Sequence, residues 1–283
     1  MNSLSKLFDK IYLDITLNKD HPLYIITDLF NSWFDKKCKC EKFIVSELYE
    51  KFKSNLLFFI SFYSFALMEF YGIKYKSNYD SDISIIYATR IIFSTQVYDN
   101  YYKIISEYKQ NEISEFEKQI NTFSHIKLNE LKINPQFDIN SINPSKCIQQ
   151  ISKKESIKEQ KLSDENTKYS NSGQYLSQIF NIRCPEEKIV HLESLNKIIA
   201  KEISDHYRQN NIILENKVQL DTDNLLLIII YIIIKQHLVN IVLELEIMDT
   251  FLTESTKISY RGFYFNKLQI AHNIIKEGIN NEL

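Results

Sequence analysis

Residues 225–234 read LLLIIIYIII, and this run decides the fold because no other part of the chain is so uniformly apolar. The polar sequence DTDN at residues 221–224 precedes it, and KQH at residues 235–237 follows it. A segment that is apolar on every side must be buried on every side. A membrane-spanning helix needs about 20 apolar residues, roughly twice the length of this run, so we expect the run to lie in a globular core. Its periodicity leaves helix and strand both open, and its isoleucine content leans towards a strand.

The residues within and after this run follow a specific order. Three short patterns carry it: Asp223-x-Leu225-Leu226-Leu227-x-x-x-Tyr231-x-x-x-Lys235, then Leu245-Glu246-x-x-x-x-Phe251, then Gly262-Phe263-Tyr264-Phe265-x-x-Leu268-x-x-Ala271. Their order and spacing resemble the signature region of the Vps-nine (vacuolar protein sorting nine) domain family. Members of that family catalyse guanine nucleotide exchange on Rab-five-type GTPases of early endosomes. The resemblance covers residues 185–275 well, residues 85–138 loosely and the first 80 residues not at all.

The resemblance and the composition indicate the same fold class. With four glycines and four prolines in 283 residues, the chain has too few turn formers for a β-sandwich and favours long helices. We therefore predict an all-α protein. An N-terminal helical bundle, residues 1–84, is expected to pack on a layered helical Vps-nine-like domain, residues 85–283. A polar stretch at about 139–174 predicts a flexible insertion within the second domain.

The composition argues against several classes of function. A formal net charge of −2 is untypical of proteins that bind nucleic acid or anionic membranes. The four cysteines lack zinc-type spacing, so we predict no metal and no cofactor. The first residues, with Asp9 and Asp14, do not form a secretory signal, and no apolar run is long enough to span a membrane. We expect a cytoplasmic protein, and the resemblance adds peripheral recruitment to endosomal membranes.

Asp223 is the candidate catalytic residue. The resemblance implies that its carboxylate enters the nucleotide site of the GTPase. There it competes with phosphate for a lysine and displaces Mg²⁺. The other interpretation is that Asp223 caps the helix at Asn224 or Leu225, which is the commonest reason for an aspartate at a helix start. The two roles are compatible.

The resemblance also assigns residues that contact the partner. These predicted partner-binding residues are Leu227, Tyr231, Lys235, Phe263, Tyr264 and Asn266. The other interpretation of Phe263 and Tyr264 is that they are ordinary core aromatics.

Several positions depart from the family pattern. Leu227 stands where the family has a proline, Phe263 where it has a tyrosine with a functional hydroxyl, and Asn266 where it has a threonine. The asparagine and proline that follow the family's lysine are His237 and Leu238 here. These changes bear on exchange activity more than on the fold.

The function that the sequence favours is guanine nucleotide exchange on a Rab-five-type GTPase in endosomal trafficking. The switch regions of the GTPase would lie in a groove between the helix after Asp223 and the helix after Gly262. Exchange changes no covalent bond, so we do not expect an enzyme in the chemical sense. The alternative is a non-catalytic Rab-binding adaptor that has lost exchange through the changes at Leu227 and Phe263. A helical scaffold unrelated to GTPases is the third interpretation.

Overall fold

The computed structural model describes residues 3–40, 45–74, 77–139, 168–209 and 220–279, and within these ranges it contains twelve α-helices and no strand. The helices are α1 Ser3–Leu17, α2 Pro22–Cys40, α3 Val45–Phe70, α4 Asn78–Phe93, α5 Gln96–Tyr108, α6 Gln110–Thr122, α7 Ser170–Ser177, α8 Pro185–Gln209, α9 Thr222–Lys235, α10 Ile241–Phe251, α11 Glu254–Lys257 and α12 Gly262–Glu277. The prediction of an all-α fold is confirmed. None of the described helices combines the length and the apolar character that crossing a membrane requires.

The chain forms two compact units, and each collects segments that are distant in sequence. The first unit is Met1–Glu112, Asn181–Ile189 and Val242–Phe263, and the second unit is Ile113–Phe180, Val190–Ile241 and Tyr264–Leu283. The border predicted between residues 84 and 85 falls inside α4. The predicted division into a bundle and an exchange domain stays a prediction.

In the first unit, α3 packs against α4 and α5. The core of this unit also includes α10. The ring of Phe251 on α10 meets Phe93 of α4 edge-on at 5.0 Å between centroids, and it meets Tyr101 of α5 at 5.4 Å. Edge-to-face pairs at such distances are favourable beyond the area they bury. Residues near the C-terminus thus complete a core that begins with the N-terminal helices.

In the second unit, α9 is the central buried helix. Every residue from 227 to 234 is buried, as the sequence predicts for an apolar run. The run is a helix and not the strand that its isoleucines favour. Helix α7 packs against α9, and the ring of Tyr169 lies edge-on to Tyr231 at 6.4 Å.

The predicted insertion at 139–174 is only partly described by the structure. Residues 140–167 lie outside the described residues. Residues 168–174 are folded, since α7 begins at Ser170 and the Tyr169 hydroxyl donates to the Phe137 carbonyl at 2.6 Å. The Ser172 hydroxyl donates to Glu202 at 2.6 Å, and its backbone N–H donates to the same carboxylate at 3.0 Å. The polar composition of this end of the segment therefore does not prevent it from packing.

Candidate functional site

The first turn of α9 is closed by Asp221. Its Oδ1 accepts a hydrogen bond from the backbone N–H of Asn224 at 2.7 Å, and its Oδ2 accepts one from the Asn224 side-chain amide at 2.7 Å. Hydrogen bonds from this turn, first that of the Asn224 N–H, hold the pKa of Asp221 below its ordinary value. Asp221 is therefore the N-cap of the helix.

Asp223 lies in the same turn and is exposed. Within the part of the chain that the structure describes, its carboxylate takes part in no hydrogen bond and no ion pair. The positive end of the helix dipole stabilises a negative charge at this place. Because Asp221 has the capping role, the Asp223 carboxylate is left facing solvent, stabilised by the helix dipole and by no hydrogen bond from the described residues.

Asn224 ties this turn to a distant part of the second unit. Its Oδ1 accepts a hydrogen bond from the backbone N–H of Asn134 at 2.8 Å, while its amide group donates to Asp221. No separate role of Asn224 is predicted from the sequence. Its only sequence signal is an asparagine at the third position of the helix, and the partner 90 residues away leaves no trace in a local pattern.

The predicted partner-binding residues of α9 lie mostly inside the second unit. Leu227 is 9% exposed and Tyr231 is 1% exposed. The Lys235 ammonium donates to the carbonyl of Ser124 at 2.8 Å and lies 5.5 Å from the centre of the Tyr231 ring. In this conformation Tyr231 and Lys235 hold α9 in place from within, and Leu227 reaches the edge of the buried surface.

Gly262 begins α12 at a point where the backbone is crowded. A Cβ added there would lie 1.9 Å from the carbonyl oxygen of Lys257. The Ser259 hydroxyl lies 3.2 Å from the backbone N–H of Arg261 and 3.4 Å from that of Gly262, so it accepts from both at the helix entrance. The glycine of the family pattern is thus explained by close backbone approach.

The first turns of α12 present an exposed and a buried side. Asn266 is exposed and Phe263 is half-buried, whereas Tyr264 is 5% exposed. Just ahead of the helix, Ile258 is 85% exposed and Tyr260 is 70% exposed. These last two residues could not be predicted from the sequence, because an apolar residue in a short loop carries no periodic signal.

A charged cluster in the first unit centres on Glu246, which the sequence analysis noted only as part of the family pattern. Its carboxylate accepts from the Tyr49 hydroxyl and from Lys109, whose ammonium lies at 2.9 Å, and Lys53 lies at 3.7 Å. Burial raises the pKa of Glu246, but the hydrogen bonds from Tyr49 and Lys109 outweigh burial and hold the pKa below its ordinary value. The cluster joins α3 and α5 to α10.

A second charged pair, Lys188 of α8 and Glu244 of α10, is completely buried. The Lys188 ammonium donates to Glu244, and the Tyr98 hydroxyl lies 3.4 Å from the same nitrogen. Burial lowers the pKa of Lys188 and raises that of Glu244, while the attraction between the two groups opposes both shifts. The contacts of Lys188 give it a structural task.

Among the described residues, no group of His, Cys, Asp or Glu side chains is arranged to hold a metal ion.

The comparison with known families bears out the resemblance found in the sequence. Residues 169–279 match the model of the Vacuolar sorting protein 9 (VPS9) domain. The matched segment runs from the residue before α7 to two residues beyond the end of α12, and it contains every predicted site residue. No curated protein gives a significant match to the chain.

Proposed function

We propose that this protein is a guanine nucleotide exchange factor for a Rab-five-type small GTPase, with Asp223 as the residue that enters the nucleotide site. The matched VPS9 domain supports a role in nucleotide exchange on Rab GTPases in general. The choice of the Rab-five type rests on the resemblance of the three sequence patterns. Association with endosomal membranes stays a prediction that follows from the same resemblance.

The observation that carries the proposal is that two aspartates of one helix turn have different contacts. Asp221 accepts the hydrogen bonds that cap α9, and Asp223 accepts none from the described residues. Capping is the ordinary explanation of an aspartate at a helix start, and here Asp221 already satisfies it. An exposed carboxylate with no hydrogen bond or ion pair to the described residues supports a role towards a partner.

The chemistry of exchange suits such a carboxylate. A small GTPase holds the β and γ phosphates through a lysine and through Mg²⁺. A carboxylate placed in that site attracts the lysine and repels the phosphates, so it lowers the barrier to nucleotide release. No bond in the nucleotide changes.

The support of α9 matters because a competing charge must be held in a fixed place. Lys235 anchors the last turn through Ser124, and Asn224 anchors the first turn through Asn134. A charge on a rigid element is placed more accurately than a charge on a loop. We assign Tyr231 and Lys235 to this support, and Tyr264 is a buried residue of α12. Direct contact of these three residues with a partner stays a prediction from the sequence.

The remaining predicted residues differ in their access to a partner. Asn266 is exposed on α12, Phe263 is half-buried on the same helix, and Leu227 borders the surface on α9. We propose that these three contact the switch regions of the GTPase. Ile258 and Tyr260 add exposed apolar surface immediately before Phe263.

One feature favours the alternative function of a Rab-binding adaptor without exchange activity. Phe263 lacks the hydroxyl that the family has at this position, and the half-buried ring provides apolar contact only. An adaptor would bind the GTPase through the same surface and leave the nucleotide in place. The two functions differ in a single measurable step, which is nucleotide release.

The test is the release of a fluorescent GDP from a panel of Rab proteins, measured with the parental chain and with Asp223→Asn. Asparagine lacks the charge, so we expect exchange to fall at least tenfold, because a charge-assisted contact of about 1.5–3 kcal/mol is lost. Asp221→Asn is the matched control. It removes one charge from the same turn, and asparagine caps about as well as aspartate, so exchange should stay near the parental rate.

The outcomes separate the three functions. If the parental chain binds the GTPase without releasing GDP, the protein is an adaptor. If it neither binds the GTPase nor releases GDP, the scaffold interpretation applies. Release that is unchanged in Asp223→Asn, or reduced equally by both variants, would remove the proposed role of Asp223.

A further inference from the structure

A cavity in the first unit lies apart from the residues of the proposed function. It has a volume of about 320 Å³ and is formed by α1, α2 and the connection between α4 and α5. Small-molecule sites begin at about 300 Å³, so the space suits a small ligand or one side chain of a partner. Ile15 and Ile91 form the apolar part of its wall, and the rest is polar.

The hydroxyl groups in this wall present lone pairs to the cavity. The Thr16 hydroxyl donates its hydrogen to the Tyr12 carbonyl at 2.7 Å, and the Ser94 hydroxyl donates to the Ile91 carbonyl at 2.6 Å. A hydroxyl has one hydrogen to donate and two lone pairs to accept with. With their hydrogens used inside the helices, both groups offer only acceptor sites to a ligand.

Two further acceptors lie on α2 and have no partner in the described residues. The Asn31 side-chain oxygen is buried and accepts no hydrogen bond there, and the Asp28 carboxylate at the exposed rim makes no hydrogen bond or ion pair. Asn31 and Asp28 are three residues apart and therefore share a face of the helix. A buried carbonyl without a donor costs free energy, which a ligand with N–H groups would recover.

The charges around the cavity favour a cation. Its lining contains the carboxylate of Asp28 and, among the described residues, no lysine, arginine or histidine. The start of α5 at Gln96 would favour an anion, but the end of α4 at Ser94 has the opposite dipole at the same place, so the two largely cancel.

We propose that this cavity binds an alkylguanidinium or alkylammonium group. The head would donate to Asn31, Thr16 and Ser94 and pair with Asp28, and the short alkyl stem would lie against Ile15 and Ile91. A guanidinium offers several N–H donors and an ammonium offers three, and neither has an acceptor, which complements the acceptor atoms of Thr16, Ser94, Asn31 and Asp28. The group could come from a free small amine or from an arginine or lysine side chain of a partner.

The first experiment is calorimetric titration of the full chain with agmatine, which carries a guanidinium at one end of a four-carbon stem and an ammonium at the other. N-butylurea, which has the same four-carbon stem and no charge, is the control ligand. We expect agmatine to bind at least tenfold more tightly than the urea. Equal binding of the two would overturn the proposal, because the charge would then play no part.

Substitutions on α2 test the assignment of residues. Asp28→Asn should weaken agmatine binding at least tenfold, and Asn31→Asp should strengthen it by adding a second carboxylate of the same shape. Asp20→Asn, an exposed aspartate outside the cavity, should leave it unchanged. Asp28 is exposed, so its variant should fold normally, and circular dichroism verifies this for all three. An affinity for agmatine that is unchanged in both α2 variants would mean that the ligand binds elsewhere, and it would overturn the proposal.

A further titration, with a peptide, distinguishes a free small amine from the side chain of a partner protein. The capped peptide Gly-Arg-Gly should bind at least tenfold more tightly than agmatine if the natural group is a partner's side chain, and no more tightly if it is a free amine. Either result supports the shared chemistry. Failure of both agmatine and the peptide to bind would overturn it.

Discussion

At Gly262 the requirement for glycine is steric and not conformational. The position of a Cβ there is occupied by the carbonyl oxygen of Lys257, at 1.9 Å, and the next nearest atom is also backbone. Backbone cannot swing aside as the end of a flexible side chain can. Any other residue must therefore move the turn between α11 and α12, which places Phe263 and Asn266.

We expect Gly262→Ala to destabilise the protein by about 1–3 kcal/mol, the range found for overpacking. The free energy of unfolding in urea measures this change. Asn266→Ala is the control, because an exposed substitution on the same helix should stay within about 0.5 kcal/mol of the parental value. An alanine variant with parental stability would mean that the turn adapts at no cost.

Glu246 carries a pH dependence whose sign follows from its contacts. Its pKa is lower in the folded state because hydrogen bonds from Tyr49 and Lys109 overcome the opposing effect of burial. A carboxyl with a lowered pKa stabilises the fold above its ordinary pKa of about 4.3, and it loses this contribution as the pH falls through the folded value. Burial raises the pKa of Tyr49, so its phenol keeps the proton that it donates.

Glu246→Gln should therefore cost about 1–3 kcal/mol of unfolding free energy at pH 7, and the difference from the parental chain should shrink as the pH falls below about 4. Chemical unfolding at a series of pH values gives the comparison. Glu254→Gln, an exposed glutamate of α11, should show a much smaller difference at every pH. A gap between parental and Glu246→Gln chains that grows towards low pH would contradict the assignment.

At the scale of the element, α9 ends in a Schellman motif with an unfavourable residue. The N–H of Leu238 donates to the Ile233 carbonyl at 3.0 Å, and the N–H of His237 donates to the Ile234 carbonyl at 3.2 Å. His237 has a φ of 51°, which is the left-handed region. The asparagine of the family pattern tolerates this conformation better than histidine does.

We expect His237→Gly to stabilise the protein by about 0.5–1 kcal/mol, since glycine avoids the Cβ penalty and gives back part of the gain through the entropy of the unfolded chain. Thermal unfolding measures it. The neighbouring Gln236→Gly is the matched control. Gln236 has no positive φ, so this variant should be less stable than the parental chain. Destabilisation by both would show that the His237 side chain, 3.5 Å from Glu117, contributes more than its backbone costs.

The elements could be predicted from the sequence to the extent that their causes are local. The apolar run of α9 predicts that this helix is buried. The low glycine and proline content indicates helices. The three patterns indicate that α9 and α12 belong to a known family of domains. The choice of Asp221 over Asp223 as the cap could not be predicted, because both are good capping residues and geometry decides between them. The packing of Tyr231 and Lys235 depends on Tyr169 and Ser124, which are far away in sequence. The fold of residues 168–174 likewise depends on distant Phe137 and Glu202.

At the scale of the whole molecule, the matched segment is not a self-contained piece. Residues 181–189 and 242–263 belong to the first unit together with residues 1–112, and the rest of the match belongs to the second unit. The N-terminal helices contact this part directly, since Tyr49 and Lys53 of α3 meet Glu246 of α10. The core of the first unit thus depends on segments from both ends of the chain.

We expect a truncated chain of residues 77–283, which keeps α4 whole, to lose cooperative unfolding of its first unit. Its α4 and α5 would expose the surface that α3 covers. Thermal unfolding followed by circular dichroism and the soluble yield measure this. Adding residues 1–76 as a separate fragment should restore part of the transition. A truncated chain with the parental melting temperature would instead show that residues 77–283 fold without the N-terminal helices.

The buried pair of Lys188 and Glu244 has a consequence for behaviour on heating. The hydration of charged groups becomes less favourable as the temperature rises, so the free energy lost when the two charges leave water becomes smaller. Their attraction inside the protein changes little over the same range. The pair should therefore contribute more to the fold in a warm cell than in a cold one.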